Sequence, residues 1–160
     1  MGYKDWCTPP DFFAELDKEF HFTLDAAASH NNHLLPTYCT KDGLFNQFGA
    51  ISWEVDGLTY NWNNERVFCN PPYDSSLSKW VEKAAKFEAD VAVLLLPPNI
   101  DTAWFHEFIY EEKGFNWDGH VYSCVKSGVE IRFLKGRLKF WKDGKPGPSP
   151  RQGNMLAIFK

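Results

Sequence analysis

The chain has 160 residues, 44% of them apolar, which is enough for a substantial core, and we expect residues 1–160 to form a single domain. No apolar run approaches the ~18 residues of a membrane span, and no secretory signal follows Met1, so we expect a cytoplasmic protein outside the membrane. The net charge of −4 excludes a uniformly basic nucleic-acid protein.

The charges are segregated along the chain. Residues 126–160 contain nine Lys or Arg and two acidic residues, whereas the rest of the chain contains eight and 19. Such asymmetry permits a local basic face for phosphates, because association responds to the local field more than to the total charge. A solvated basic hairpin and tail would have the same composition.

The four cysteines are widely spaced, at positions 7, 39, 69 and 124. They lack the paired spacing of a zinc site or of a small disulfide framework. We therefore expect free, mostly packed thiols and no metal site.

The first third of the chain predicts a helix followed by a short strand. Thr8 precedes Pro9 and Pro10, which is typical of a helix start with the Thr8 hydroxyl as N-cap. Apolar residues then recur at helical spacing up to Phe20. Residues 21–24 alternate and end at Asp25, which indicates a strand with a carboxylate at its C-terminal end. Residues 26–40 are polar and predict a loop or short helix.

The remaining chain alternates between predicted strands and helices. Strands are predicted at 67–69, 91–98, 129–133, 138–141 and 155–159, and helices at 77–87 and 100–110. The two strands at 129–133 and 138–141 are predicted to form a basic hairpin over residues 129–142. This order predicts an α/β fold with a mostly parallel sheet and antiparallel C-terminal strands. Asp25, Asn70 and Pro97 all fall at predicted strand ends, where such sheets bind ligands.

The sequence Asn70-Pro71-Pro72-Tyr73 combines two hydrogen-bond acceptors with a stiff backbone and an aromatic ring. The side-chain carbonyl of Asn70 and the main-chain carbonyl of Pro71 can both accept from a planar NH₂ group. Tyr73 can stack on that plane. Neutral Asn70 is too weak a base to remove an amine proton, so positioning and electrostatics would carry catalysis. A rigid turn before the next helix is the simpler alternative.

Longer stretches surround this motif in a recognisable order. They include TPPDFFAELDKEFHFTLDAAAS, DGLTYNWNNERVFCNPPY, LLLPPNIDTAWFHEFIY, EIRFLKGRLKF and PSPRQGNMLAIF. Together they resemble the phage-type DNA N6-adenine methyltransferase (Dam) family over nearly the whole chain. The resemblance implies a Rossmann-like methyltransferase fold, S-adenosylmethionine as cofactor and DNA as substrate. It also implies a role such as shielding phage DNA from restriction.

The resemblance also implies roles for individual residues. Asn70, Pro71, Pro72 and Tyr73 would grip the target adenine. The cofactor would be held by residues in three segments, namely Thr8, Pro9, Asp25, Ala26, Ala27 and Asp56. Within that set, Asp56 is suited to accept a hydrogen bond from the adenine amine of the cofactor, and Asp42 is the alternative.

Alternatives exist for the source of DNA specificity and for the function, and four basic residues are candidates for DNA contact. Residues 42–55 look inserted relative to the family pattern, and DNA specificity could be relaxed, supplied by this insertion or dependent on dimerisation. The predicted hairpin presents Arg132, Lys135, Arg137 and Lys139 as candidates for DNA contact. The rival functions are an amine methyltransferase acting on RNA or protein glutamine, and an inactive nucleic-acid binding module. The oligomeric state is not predicted.

Overall fold

The computed structural model describes residues 6–86, 88–115 and 121–160, with only the backbone for strand residues 112–115 and 121–124. The helices of the described part are Pro10–Phe20 (α1) and Leu77–Ala85 (α2), with a π-helical turn at Phe105–Ile109. The strands are Leu24–Asp25 (β1), Tyr38–Cys39 (β2), Gly43–Asn46 (β3), Gly49–Trp53 (β4), Arg66–Cys69 (β5), Val91–Leu96 (β6), Tyr110–Phe115 (β7), Val121–Val125 (β8), Val129–Phe133 (β9), Trp141–Lys142 (β10), Lys145–Pro146 (β11) and Met155–Phe159 (β12).

Eight of these strands form one mixed sheet in the order β4-β3-β2-β1-β5-β6-β12-β9. The four central strands β2, β1, β5 and β6 are mutually parallel. Two antiparallel strands flank this block on each side. The predicted α/β class, the parallel centre and the antiparallel C-terminal strands are confirmed. The antiparallel hairpin β3–β4 at the opposite edge was not predicted, and it lies within residues 42–55.

Strand β6 explains why an uninterrupted apolar run marks the centre of the sheet. Val91, Val93 and Leu95 pack on one face with helix α1, and the alternate residues pack on the other face with helix α2. Every residue of β6 is buried. Because side chains alternate across a strand, burial on both faces requires continuous rather than alternating hydrophobicity.

Several local predictions were wrong in detail. The residue before helix α1 is Pro9, and no side chain caps the helix, so Thr8 is not its N-cap. The predicted hairpin over 129–142 does not form: β9 pairs with β12, and Trp141 belongs to the small sheet of β10 and β11. All five residues of β12 are apolar and buried, which favours pairing of β9 with this strand. The predicted helix at 100–110 is reduced to a short helical segment ending in the π turn.

Helix α2 is confirmed from Leu77 to Ala85, while its predicted end at Phe87 lies outside the described residues. Among the residues that the structure describes, no helix combines the length and the apolar character needed to cross a bilayer.

Candidate active site

A cleft lies at the C-terminal ends of β1 and β5. It encloses about 520 Å³ of space outside the protein atoms, its open mouth included. The lining residues are Trp6, Thr8, Asp25, Ala27, Asn32, Leu34, Phe68, Asn70, Pro71, Pro72, Tyr73 and Phe140. Seven of the residues predicted to form the site are therefore brought together: Thr8, Asp25, Ala27, Asn70, Pro71, Pro72 and Tyr73. The parallel topology produces this convergence, because parallel strands end at the same edge of a sheet.

The amide of Asn70 is held in one orientation by Thr8. Nδ2 of Asn70 donates a hydrogen bond of 3.3 Å to Oγ1 of Thr8, which is buried. No described residue donates to Oδ1 of Asn70 or to the carbonyl of Pro71. Both oxygens required by the motif are thus left to accept from a ligand. Thr8 orients Asn70 instead of capping the helix.

The phenol of Tyr73 is anchored at its tip. Its hydroxyl donates to the carbonyl of Leu95 at 3.0 Å and accepts from Nδ2 of Asn154 at 3.0 Å. Burial is the main cause that raises the pKa of this phenol well above its usual range. Tyr73 therefore stays neutral, and its ring is held in the wall of the cleft.

Asp25 places a buried carboxyl in the same cleft. The residue is 4% exposed, and Oδ2 accepts a hydrogen bond of 2.9 Å from the backbone N–H of Leu34. Burial raises the pKa of this carboxyl from 3.8 to about 6, against the opposing effect of backbone hydrogen bonds from Leu34 and Ala27. Burial removes the hydration of the carboxylate, so a cationic ligand group beside it would stabilise its charged form.

Asp56 lies next to the cleft but does not line it. Its Oδ1 accepts from the backbone N–H groups of Leu58 and Thr59 at 3.1 and 2.9 Å, so this oxygen caps the turn that follows. Gly57 packs so closely that an added Cβ would lie 1.9 Å from the carbonyl oxygen of Ala26. This close approach requires glycine, and it brings Asp56 beside the end of β1.

The other predicted cofactor residues do not reach the cleft wall. Asp42 is exposed at the start of the edge hairpin and, like Pro9 and Ala26, is absent from the lining. Pro9 is the residue before helix α1, and Ala26 is buried against Gly57. Their assignment as cofactor residues stays a prediction.

The comparison with known proteins identifies the family of the chain. A family described as DNA N-6-adenine-methyltransferase (Dam) matches residues 3–160, essentially the whole chain. The chain belongs to the Dam family. No curated protein matches it at a significant level. The roles of the cleft residues in this Dam family protein stay predictions.

The basic residues proposed to meet DNA in this Dam family protein divide into two groups. The guanidinium of Arg132 is occupied, because it forms hydrogen bonds of 2.6–2.7 Å with both carboxylate oxygens of Glu19 and a third with Glu130. Lys135 and Lys139 are exposed and have no carboxylate partner in the described part of the chain. Arg137 is exposed and donates to the carbonyl of Pro150 at 2.8 Å.

The loop that carries these three cations lies beside the cleft. Phe140, which follows Lys139, lines the cleft, and Gly136 lies against Gly153. Residue 152 in turn lines an open depression that shares Tyr73 with the cleft. The loop at 134–140 therefore brings positive charge to the rim of the site without forming the predicted hairpin.

Sequence reasoning missed Asn154, which touches Tyr73 directly. Asn154 is 5% exposed and immediately precedes β12. Because β12 runs antiparallel to β6, with Met155 opposite Leu96, its start lies at the edge where the parallel strands end. A polar residue just before a buried antiparallel strand was the available signal. Using it required knowing that β12 pairs with β6.

Proposed function

We propose that this Dam family protein transfers a methyl group from S-adenosylmethionine to the N6 amine of adenine in DNA, on a Rossmann-like methyltransferase fold. The observation that carries the proposal is the pair of unengaged acceptors, Oδ1 of Asn70 and the carbonyl of Pro71, in a cleft that also contains the Asp25 carboxyl. The parallel strands with helices packed on both faces support the fold assignment.

The acceptors orient the amine. When both N6 hydrogens are bound by Asn70 and Pro71, the nitrogen lone pair leaves conjugation with the purine ring and is available for bonding. Thr8 keeps Nδ2 of Asn70 away from the amine, so that a donor does not face the amine hydrogens. The two prolines restrict the backbone, which lowers the reorganisation required during the reaction.

The residues of the cleft fit the proposed cofactor in charge. The buried Asp25 carboxyl is suited to the ammonium group of the methionine moiety, and the small side chain of Ala27 permits close approach. When bound, S-adenosylmethionine would supply the methyl group. Its carbon–sulfur bond would break as the bond to N6 forms, which would leave S-adenosylhomocysteine, and the cationic amine would lose a proton to solvent. The turn at Asp56 packs against the end of β1 through Gly57, which supports assigning Asp56 to the same ligand.

The rim of the cleft fits a nucleic acid. In duplex DNA the target base must leave the stack, at a cost of a few kcal/mol, and stacking on Tyr73 would offset part of that cost. Lys135, Arg137 and Lys139 bring exposed positive charge beside the site, whereas Arg132 is neutralised by two carboxylates. We therefore assign phosphate contact to the loop cations and not to Arg132.

The test is a methyl-transfer assay with labelled S-adenosylmethionine and DNA, followed by mass analysis of the nucleosides. We expect N6-methyladenine with the wild-type protein. Asn70→Ala should abolish the product while cofactor binding, measured by calorimetry, persists. Asn63→Ala serves as the matched control, because Asn63 is exposed and does not line the cleft.

Other outcomes decide between the rival functions. Labelled RNA or labelled glutamine in a protein acceptor, without N6-methyladenine in DNA, would replace the proposed substrate. DNA binding without cofactor uptake, unaffected by Asn70→Ala, would indicate an inactive binding module.

A further inference from the structure

The hydroxyl of Tyr73 makes two hydrogen bonds, one to strand β6 and one to the residue before strand β12. It donates its single hydrogen to the carbonyl of Leu95 in β6 and accepts from Nδ2 of Asn154, just before β12, both at 3.0 Å. A phenol has one hydrogen to give and can accept through its lone pairs. The tip of the ring is therefore held from two sides, while Pro72 restricts the backbone at its base.

The amide of Asn154 is oriented for this task. If the oxygen and nitrogen of this amide were exchanged, the amide oxygen and the Leu95 carbonyl would both face the phenol, which has only one hydrogen to donate. One of these two oxygens would then face the Tyr73 oxygen without a hydrogen between them. The observed orientation avoids that conflict. As a consequence, Oδ1 of Asn154 is buried and receives no hydrogen bond within the part of the chain that the structure describes.

An amide is unusual at this position. Asn154 is 5% exposed and immediately precedes a strand whose residues are all apolar. Removing an amide from water costs free energy, and a small apolar residue at this position would bury no polar group. The amide is therefore explained by its contact with Tyr73 more readily than by packing.

The backbone of Asn154 is itself fixed. Its carbonyl accepts from the N–H of Leu134 at 3.2 Å, and the next residue, Met155, pairs with Leu96 of β6 and with Phe133 of β9. The amide thus projects from a point tied to two neighbouring strands. A donor held this firmly can restrict the ring that it contacts.

We propose that Asn154 is a positioning residue, which holds the ring of Tyr73 at the angle needed to stack on the acceptor base. The role in methyl transfer rests on the function proposed above, whereas the restraint on the ring does not. Asn154 acts through the Tyr73 hydroxyl and does not touch the reacting atoms. Removing the Tyr73 hydroxyl should therefore slow turnover at least as much as removing the Asn154 amide, because the hydroxyl also bonds to Leu95.

A double-mutant cycle of Asn154→Ala and Tyr73→Phe tests this coupling. Each single substitution should lower kcat about tenfold, the size expected when an oriented hydrogen bond is removed, with KM for S-adenosylmethionine within about twofold of the wild type. The double variant should be no slower than Tyr73→Phe alone. Additive effects, about a hundredfold in the double variant, would overturn the proposal, as would an unchanged kcat in Asn154→Ala.

A second measurement is independent of activity. With ring-labelled tyrosine, the Tyr73 resonances, assigned by their disappearance in Tyr73→Phe, should show faster ring reorientation in Asn154→Ala than in the wild type. Tyr60, whose hydroxyl donates to Glu65, is the internal control and should not change. Identical Tyr73 dynamics in the two proteins would overturn the restraint. If the wild type methylates no DNA, the proposed function fails, and the ring measurement still decides the role of Asn154.

A stability measurement separates positioning from a structural role. Asn154→Ala removes a hydrogen bond and also removes a buried polar group, so the two effects on the free energy of unfolding oppose each other. We expect little change in Tm. Two results together would assign Asn154 to the core instead. One is a large fall in Tm that Asn154→Ser does not reverse, and the other is an equal fall in kcat when Asn154→Ala is made in the Tyr73→Phe background.

Discussion

Thr8 and Asn70 are 62 positions apart in the chain and are joined by a hydrogen bond of 3.3 Å at the wall of the cleft. The buried Thr8 hydroxyl accepts from the amide nitrogen of Asn70, which leaves the amide oxygen for the ligand. An asparagine is useful at this position only when its oxygen, and not its nitrogen, faces the amine. The orientation of the Asn70 amide thus depends on a residue outside the motif.

Replacing Thr8 by valine should lower kcat about two- to tenfold, the effect of removing a net hydrogen bond of roughly 0.5–1.5 kcal/mol. Valine preserves the shape of threonine without its hydroxyl, so Asn70 loses its orienting partner. Thr8→Ser keeps the hydroxyl and should retain most of the activity. Single-turnover rates with saturating cofactor measure both variants, and equal rates for valine and serine would contradict this role.

The Asp25 carboxyl should make the fold less stable as the pH rises. Its pKa in the folded state is about 6, above the 3.8 of the free group, so the folded protein favours the neutral acid. The contribution is fully present below about pH 4 and is lost as the pH rises through 6, a difference of about 3 kcal/mol. Urea unfolding of the wild type and Asp25→Asn across this range isolates the contribution. A pH-independent difference between the two proteins would contradict it.

Cofactor affinity should show the opposite dependence on pH. A cationic ligand group beside Asp25 favours the ionised carboxylate, so the Kd for S-adenosylmethionine should rise as the pH falls below about 6. Calorimetric titrations between pH 5 and pH 8 test this expectation. In Asp25→Asn the affinity should be weaker at neutral pH and nearly flat over this range. An equally steep profile in that variant would assign the titration to another group.

Gly57→Ala should destabilise the protein by about 1–3 kcal/mol, as expected when a well-packed site is overfilled. The new Cβ would lie 1.9 Å from the carbonyl oxygen of Ala26 and 2.8 Å from the ring of Trp80, so the turn at Asp56 must move. Gly153→Ala is the control, because its Cβ would meet its nearest neighbour, the Gly136 carbonyl oxygen, at 3.7 Å. Thermal unfolding compares the two, and equal Tm values would contradict the steric argument.

Lys135→Ala and Lys139→Ala should each weaken DNA binding across sequences. If each lysine neutralises one phosphate, its removal should reduce the slope of log K against log salt by about 0.9. These lysines are cleaner probes than Arg137, because removing Arg137 also releases the carbonyl of Pro150. Lys86→Ala is the control, since Lys86 pairs with Glu82 on helix α2. An unchanged salt slope in both loop variants would exclude the loop from phosphate contact.

Local signals in the sequence were sufficient for the centre of the fold. The continuous apolar run of β6 indicated a strand buried on both faces, and the apolar spacing in α1 and α2 indicated helices with one buried face. The Asn70-Pro71-Pro72-Tyr73 motif is placed at the end of β5, as predicted. These features depend on residues that are near neighbours in the chain, so periodicity alone reveals them.

The tertiary structure decided the partners of those residues. Thr8 meets Asn70 across 62 positions, Tyr73 meets Asn154 across 81, and Arg132 meets Glu19 across 113. The predicted hairpin at 129–142 does not form for the same reason, because β9 pairs with the buried strand β12, which is distant in the sequence. Residue types indicated the chemistry of an amine-binding motif. The strand order determined which side chains orient it, because hydrogen bonds and ion pairs act between atoms that only the folded chain brings within about 3 Å.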